Sequence, residues 1–278
     1  MSFTEELIEL DARIAESGSE EGFWKHVPSF FSDTLQTGSY KKGLNDILTA
    51  VRDRNTPITA KHTAGQFIAL HSSPWTNWSI IFHKRPAQFL YLSPVDALQA
   101  RVGGAALKVG RYSCKRPGSF DLLERDLSLT FNGCDEAKLD VQLERRGREQ
   151  ILDWFALDED GGPGVTLRVN SGPLAPFEWA FERTTLRPAG LSPIDPIESN
   201  LSTIFSLLAA VGERESVEYL LPFLDSERHF MRWNAIQAIA ALDKDCSIAG
   251  LQRLVDDPHP EVRAAARRSL AQLTAVAA

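Results

Sequence analysis

The sequence predicts an α+β protein with more than one domain: N-terminal helices, an antiparallel β region and a C-terminal helical repeat. Three observations lead to this prediction. One unit is written twice near the C terminus, the middle of the chain has the pattern of about ten short strands, and a proline-rich stretch separates the two. Apolar residues at helical spacing before the first strand supply the N-terminal element.

Residues 1–54 are predicted to form helices that pack on the β region. Residues 3–17 mix acids with aliphatic side chains at helical spacing, and a third helical stretch runs from Leu44 to Val51. The second stretch, between them, has a bulky apolar face made of Phe23, Trp24, Val27, Phe30 and Phe31. Because large aromatic side chains dominate core energetics, we expect this face to be buried.

Residues 55–188 have the pattern of an antiparallel β-sandwich or barrel, within which a jelly roll or cupin-like roll is the preferred architecture. Short apolar or alternating runs are separated by Gly, Pro, Asn and Ser. The fourth and fifth strands are candidates to pair across Gly103-Gly104, and Asn132-Gly133 is expected in a loop between the sixth and seventh. The predicted strands are Gln66–Leu70, Trp78–His83, Gln88–Leu92, Ala97–Val102, Ala106–Tyr112, Leu127–Phe131, Leu139–Leu143, Gln150–Leu157, Val165–Val169 and Phe177–Arg183.

A stiff linker is predicted at residues 189–196, followed by a helical domain at 197–278. Three prolines and a glycine between residues 188 and 196 form a stretch that neither a helix nor a strand accommodates well. Beyond it, a strongly apolar helix is predicted from Ile197 to Val211.

The duplicated unit repeats at an offset of 31 residues, because Arg232 falls on Arg263 and Leu242 falls on Leu273. Each unit predicts a short helix, a turn and a longer helix. A fixed period of this size is typical of stacked helical hairpins, in which each unit buries its apolar stripe against its neighbours.

The segment DDPHPEVRAAARRSLAQL resembles the second helix of a HEAT repeat, and the short period is similar to the HEAT-like repeats of the phycobilisome-lyase type. The resemblance implies an architecture more than an activity, since such repeats serve scaffolds, lyases and regulators. It also implies that turn aspartates and helix arginines tie neighbouring repeats together. In this sequence those residues are Asp225, Asp256, Arg232 and Arg263.

Composition favours a cytoplasmic protein that binds neither nucleic acid nor membrane. The formal net charge is −7, whereas binding to phosphate backbones needs a basic surface. The first ten residues lack the basic segment and apolar core of a signal peptide, and no apolar run is long enough to span a membrane. Three scattered cysteines predict neither a disulfide framework nor a zinc site.

Three histidines of the β region, His62, His71 and His83, are the candidate metal ligands. Neutral imidazole is a common ligand, and a β-roll with histidines and a carboxylate in its mouth can hold iron, manganese or zinc. The usual cupin signature, two histidines one residue apart followed by a glutamate, is missing from this sequence. The favoured prediction is therefore no metal and no cofactor, with a divalent transition metal such as Fe or Zn as the alternative.

Acidic and basic side chains alternate between residues 121 and 148. Paired carboxylates can perform acid–base chemistry when burial separates their pKa values, but the alternation with arginines favours solvated ion pairs here. The side chains concerned are Asp121, Glu124, Arg125, Asp126, Glu144, Arg145, Arg146 and Arg148.

The long second helices of the repeats carry the candidate partner-binding residues. Such helices usually line the concave face of an array, where partners bind. A tryptophan beside guanidinium groups has the composition of an interface hot spot. The residues are Trp233, Gln237, Arg263, Arg267 and Arg268.

Two functions from different classes follow. The favoured hypothesis is a non-enzymatic interaction or adaptor protein whose HEAT-like repeats bind an acidic or amphipathic protein surface. The alternative is a metal-dependent cupin-like enzyme or small-molecule sensor with its site in the β region. A chromophore lyase or chaperone is a third interpretation, suggested by the repeat resemblance alone.

Overall fold

The computed structural model of the chain describes residues 2–54, 66–115, 117, 126–157 and 161–277. It divides into two compact units, Met1–Ser192 and Pro193–Ala278. The first holds N-terminal helices and antiparallel strands, and the second is helical. The predicted α+β class with several domains is therefore confirmed.

Three helices form the N-terminal segment: α1 (Phe3–Ser17), α2 (Ser19–Thr37) and α3 (Tyr40–Arg54). A capping box begins α1, because the Ser2 side chain accepts from the Glu5 amide while the Glu5 side chain accepts from the Ser2 amide. Gly38 caps the C-terminal end of α2, and its φ of 67° is left-handed and therefore favours glycine.

Eleven strands are present in the described part of the chain, and most lie within two residues of the predicted runs. The sixth and seventh start later than predicted, and Asn132-Gly133 lies inside the sixth strand instead of a loop. The strands are β1 (Gln66–Ser72), β2 (Thr76–His83), β3 (Phe89–Leu92), β4 (Ala97–Gly104), β5 (Leu107–Ser113), β6 (Thr130–Glu136), β7 (Leu143–Arg145), β8 (Gln150–Ala156), β9 (Gly164–Ser171), β10 (Phe177–Glu182) and β11 (Pro188–Pro193).

The strands form three sheets, ordered β1-β2-β9-β4-β7, β11-β10-β3 and β6-β5-β8. Strand β4 pairs with β9 and β7, while β5 pairs with β6 and β8, so the expected pairing of β4 with β5 is wrong. Gly104, with a φ of 68°, ends β4 so that the chain leaves the first sheet and enters the third. The glycine pair therefore connects two sheets and does not make a hairpin.

One face of the five-stranded sheet is apolar and packs on the N-terminal helices. Trp78 of β2 lies at the centre of this contact, with its ring 6.0 Å from Phe3 and 5.7 Å from both Phe30 and Phe31. Burying this many large side chains supplies a major part of the unit's hydrophobic stabilisation. The buried residues from the sheet are Trp78, Ile80, Leu98, Ala100, Leu167 and Val169.

The first residues of the predicted linker are not a linker. Pro188–Pro193 forms β11, which lies at the edge of its sheet beside β10. An edge strand tolerates proline because one side of its ladder needs no N–H donor. The two compact units divide at the last residue of this strand, between Ser192 and Pro193.

The second unit is a helical array. Asp195 caps its first helix by accepting a hydrogen bond from the Ile197 amide, and Asp243 caps α7 in the same way. Short 3-10 turns flank the four-residue helix α5. The helices are α4 (Pro196–Val211), α5 (Val217–Leu220), α6 (His229–Leu242), α7 (Lys244–Leu254) and α8 (Pro260–Ala277).

None of the helices in the described ranges is both long enough and apolar enough to cross a membrane.

Candidate functional site

The second face of the five-stranded sheet is polar, although it too is largely covered by protein. Side chains directly opposite each other in a ladder share a face. One row across the sheet is Asn77, Asn170, Ala97 and Arg145, and the next row is Ser79, Arg168, Gln99 and Leu143. The sheet therefore separates an apolar layer against the helices from a layer rich in hydrogen-bonding and cationic groups.

Two arginines of this face are largely, though not fully, covered by protein. Burial lowers the pKa of Arg145 to about 10, partly offset by the charges of Glu178 and Asp96. Burial also lowers the pKa of Arg168 to about 10, and the positive charge of Arg145 contributes in the same direction. Both groups remain cations at neutral pH, held where a positive charge is disfavoured.

Glu178, from β10 of another sheet, is the carboxylate that acts on both arginines. Burial raises its pKa, and the charges of Arg145 and Arg168 partly offset that rise. We call Arg145, Arg168, Asn170 and Glu178 the arginine site. Its guanidinium Nε atoms and the Asn170 Oδ1 atom are buried and have no hydrogen-bond partner among the described residues.

His83 lies on the same polar face, beside the arginine site. Its Nε2 atom is 2.9 Å from Thr166 Oγ1 and 3.2 Å from Gln99 Nε2. Burial lowers its pKa to about 4, and the charge of Arg168 adds to this, while a hydrogen bond with the Trp154 backbone acts in the opposite direction. At neutral pH the imidazole is therefore neutral and forms part of a local hydrogen-bond network.

His71 lies on the opposite face, where its Nε2 atom is 2.7 Å from Asp11 Oδ2 of α1. Thr76 donates to the other oxygen of Asp11 at 2.7 Å. Burial by itself would raise the pKa of Asp11, but hydrogen bonds from His71, Thr76 and Ser73 outweigh it, so the pKa is below its usual value. This network fastens α1 to the hairpin of β1 and β2.

The predicted histidine set is therefore not assembled as one site. His71 and His83 lie on opposite faces of the sheet, and His62 is outside the described residues. Within the described ranges, no three His, Cys, Asp or Glu side chains are grouped so that they could hold a metal ion. The physical reason is strand alternation: His71 follows a bulge between Ala69 and His71, which puts it opposite Trp78 on the helix-facing side.

The predicted partner-binding residues differ in how far their side chains are exposed to solvent. Gln237 and Arg268 are exposed on α6 and α8 and make no hydrogen bond with the described residues. Trp233 is half-buried and packs on the core of the array. The 31-residue offset puts Gln237 and Arg268 at equivalent positions of successive helices, with Ser206 of α4 as the third.

Arg263 and Arg267 donate hydrogen bonds mainly to backbone carbonyls of the turn that precedes α8. Arg263 donates to the carbonyls of Asp257 and Pro258, and Arg267 donates to the carbonyl of Val255 at 3.0 Å. These guanidinium groups close the turn before α8 and therefore have fewer donors left for a partner than Arg268.

The arginine that ties the repeats together is Arg232, as the resemblance implied, but its partner is Asp257. Arg232 donates from Nε to Asp257 Oδ2 at 2.7 Å and from Nη2 to Oδ1 at 2.6 Å, and both side chains are buried. The expected aspartates instead form exposed pairs, Asp225 with Arg253 and Asp256 with Arg267. The tie is therefore one residue further along the turn than the repeat alignment implied.

Helix α4 presents an apolar end face. By the offset, Ile204 and Leu207 correspond to Ala235 and Ala238, which are buried. Helix α4 has no earlier repeat, so its two residues are 47% and 59% exposed. The other exposed aliphatic side chains of this helix are Ile197 and Val211.

The arginine site was missed from the sequence because alternating charge on a strand normally indicates a solvent face. Arg145 was expected among solvated ion pairs, and that expectation is wrong. The available signal was a strand, Gly164–Ser171, whose alternate residues are polar on one face and apolar on the other. Only the presence of other sheets over the polar face turns that pattern into a buried cationic site.

Comparison with known proteins supports the architecture. Residues 198–271 match the family of HEAT repeats, which confirms the predicted HEAT-like repeats; the finer likeness to the phycobilisome-lyase type stays a prediction. No curated protein is similar in sequence to the chain.

Three solved structures with detectable similarity are described as follows. KdgF from Halomonas sp. is 10% identical, with 43% of this chain and 91% of that chain covered and a TM-score of 0.28. The Schizosaccharomyces pombe Cnp3 cupin domain is 8% identical, with 41% and 65% covered and a TM-score of 0.27. An RmlC-like cupin from Shewanella frigidimarina is 8% identical, with 44% and 88% covered and a TM-score of 0.26. Likenesses with such TM-scores carry no argument about chemistry.

Proposed function

We propose that the protein is a non-enzymatic interaction protein that uses its HEAT-like repeats to bind an acidic or amphipathic protein surface. The observation that carries the proposal is the exposure of Gln237 and Arg268 at equivalent positions of adjacent long helices. Arg268 has no ion-pair or hydrogen-bond partner among the described residues, so its charge is available to a partner. Trp233 is one turn before Gln237 on the same helix and offers its partly exposed edge.

The apolar end face of α4 supports an amphipathic partner. Contiguous exposed aliphatic side chains are the kind of surface that proteins cover in contacts. A partner with acidic and apolar side chains would match both features of the array. Because Gln237 and Arg268 are exposed and do not belong to the core of the array, the proposal predicts that substitutions at these two positions abolish binding without unfolding the repeats.

The test is a pull-down from native cytosol with the full chain and two variants that carry added negative charge. Changing Gln237→Glu together with Arg268→Glu should abolish capture of a partner, because like charges then oppose an acidic surface. Arg253→Glu is the matched control, since Arg253 is exposed on α7, in the other helical layer. Equal capture by the Gln237/Arg268 variant and the wild type would overturn the site assignment, and capture of nothing by the wild type would count against the function itself.

A further inference from the structure

We infer that the arginine site binds a small organic anion with a carboxylate or phosphate group. The inference is independent of the proposed repeat-mediated interaction. It concerns the polar face of the five-stranded sheet, where Arg145 and Arg168 lie on strands separated by β4.

The first observation is that buried donors lack acceptors. The Nε atoms of Arg145 and Arg168 are buried without a hydrogen-bond partner, and Arg168 makes no hydrogen bond to any described residue. Arg145 donates from Nη2 to the Val95 carbonyl at 3.1 Å. Buried polar groups are nearly always hydrogen-bonded, and a buried N–H group left without an acceptor costs free energy. An incoming anion would supply the missing acceptors.

The second observation is that the unsatisfied groups converge on one face of the sheet. Ala97 lies between Asn170 and Arg145 in their row across the sheet, and its methyl group is the smallest side chain in that row. Arg168 is two residues before Asn170 on β9, so it lies on the same face, one row away. A small group above Ala97 would therefore be bordered by two guanidinium groups and by an amide.

The third observation is the local balance of charge. Asp96 acts on Arg145, but its two oxygens already accept from the Trp24 indole at 2.5 Å and from the Gly147 amide at 2.8 Å. Glu178 is left as the carboxylate that acts on both arginines. The charges of Arg145 and Arg168 are therefore matched by those of Glu178 and Asp96, but the Asp96 oxygens are already engaged, so among the described residues Glu178 is left to supply acceptors for both guanidinium groups.

The chemistry of the donors selects the ligand. The planar guanidinium fork matches the two oxygens of a carboxylate or phosphate, and such charge-assisted bonds are strong when water is excluded. Asn170 Oδ1 would accept from a hydroxyl or amine of the same ligand. A small hydroxy acid, amino acid or phosphate ester would use all these groups.

The test is thermal unfolding of the full chain, supported by isothermal titration, in a buffer free of carboxylate and phosphate. The probes are inorganic phosphate, glycolate and glycine, with methylammonium as a cationic control. Binding at ten times the dissociation constant should raise Tm by roughly 3–6 °C. A shift with phosphate alone identifies a phosphate ligand, and a shift with glycolate or glycine identifies a carboxylate. Absence of a shift with all three anions overturns the inference.

Arg168→Met distinguishes a ligand site from a structural ion pair. Removing a buried cation that lacks a partner should raise Tm of the unliganded protein while weakening anion binding at least tenfold. Arg111→Met is the matched control, because Arg111 is in the same unit but forms a surface pair with Asp135 at 3.2 Å. If Arg168→Met lowers Tm, or if it binds the anion as tightly as Arg111→Met does, the inference is wrong.

Discussion

Buried arginines have opposite surroundings in the two units of this molecule. In the repeats, the guanidinium of Arg232 meets both oxygens of Asp257 and also donates to the carbonyls of Ser226 and Glu227. In the β region, Arg168 has no described hydrogen-bond acceptor and has another cation close to it. The same side chain therefore fastens one unit internally and, in the other, leaves bonding capacity for a molecule from outside.

The difference teaches that burial alone does not reveal what a charged residue does. A buried cation whose donors are satisfied by its own chain stabilises the arrangement that satisfies them. A buried cation with unsatisfied donors lowers stability until a ligand arrives, which is the pattern expected of binding sites. The number of donors that find acceptors within the chain separates the two cases.

The largest expected effect is the loss of the repeat tie. Arg232→Ala should lower the free energy of unfolding of the repeat unit by about 3–5 kcal/mol, because it leaves Asp257 buried and unpaired. Urea denaturation, with hydrogen exchange of α6–α8 as the local probe, measures it. Arg232→Lys should recover part of the loss, since an ammonium keeps the charge but not the two-pronged geometry. A loss below 1 kcal/mol for the alanine variant would remove the contrast between the two units.

Acid should destabilise the β region before the repeats. The pKa of His83 is about 4 in the folded state against its ordinary value of 6.5, so the unfolded chain binds the proton more readily. The contribution of the neutral His83 to the free energy of unfolding is fully present above pH 6.5. It is lost as the pH falls towards and through 4, by roughly 3 kcal/mol in total.

The pKa of Asp257 is lowered from 3.8: burial by itself would raise it, but the hydrogen bond from Arg232 and the His259 amide outweigh burial. The stability from Asp257 is therefore present above pH 3.8 and is lost only as the pH falls below that value.

Hydrogen exchange at pH 7, 6, 5 and 4.5 should show β2 and β9 losing protection while α6 and α8 keep theirs. His83→Gln should flatten the pH dependence of the β region, and an unchanged dependence in that variant would contradict the assignment.

The smallest effect is expected for an exposed pair in the repeats. Arg253 and Asp225 are 2.5 Å apart, with side chains that are 50% and 72% exposed. Arg253→Ala should change the free energy of unfolding by about 0–1 kcal/mol, because solvent and salt screen such pairs. Comparing the loss of unfolding free energy in Arg253→Ala with that in Arg232→Ala tests whether burial of the ion pair, and not pairing alone, makes the Arg232 loss large. A loss comparable to that of Arg232→Ala would show that pairing alone is sufficient.

Much of the fold could be predicted because local patterns decide it. Helical spacing of apolar residues placed α1 and α4 close to their observed bounds, and alternating runs placed β2, β8 and β9. The offset between Arg232 and Arg263 revealed the array. Each of these depends on the periodicity of helices and strands, which the order of residues expresses directly.

Other features could not be predicted because they depend on which strands become neighbours. The bulge in β1 decides that His71 faces the helices, and the position of β9 between β2 and β4 brings Thr166 and Gln99 to His83. The prolines of residues 188–193 predicted a linker, because the sequence does not show that this segment lies at the edge of a sheet, where proline is tolerated.

The sequence by itself determined the succession of helices, strands and repeats, since these follow from spacing along the chain. Tertiary structure alone decided that Arg145 and Arg168 lie in a covered layer with Glu178, and that Asp257 is the partner of Arg232. The physical reason is that hydrogen bonding and desolvation depend on groups far apart in the chain, 33 residues from Arg145 to Glu178. The same side chain is therefore a solvated surface charge or a binding group according to what the fold places above it.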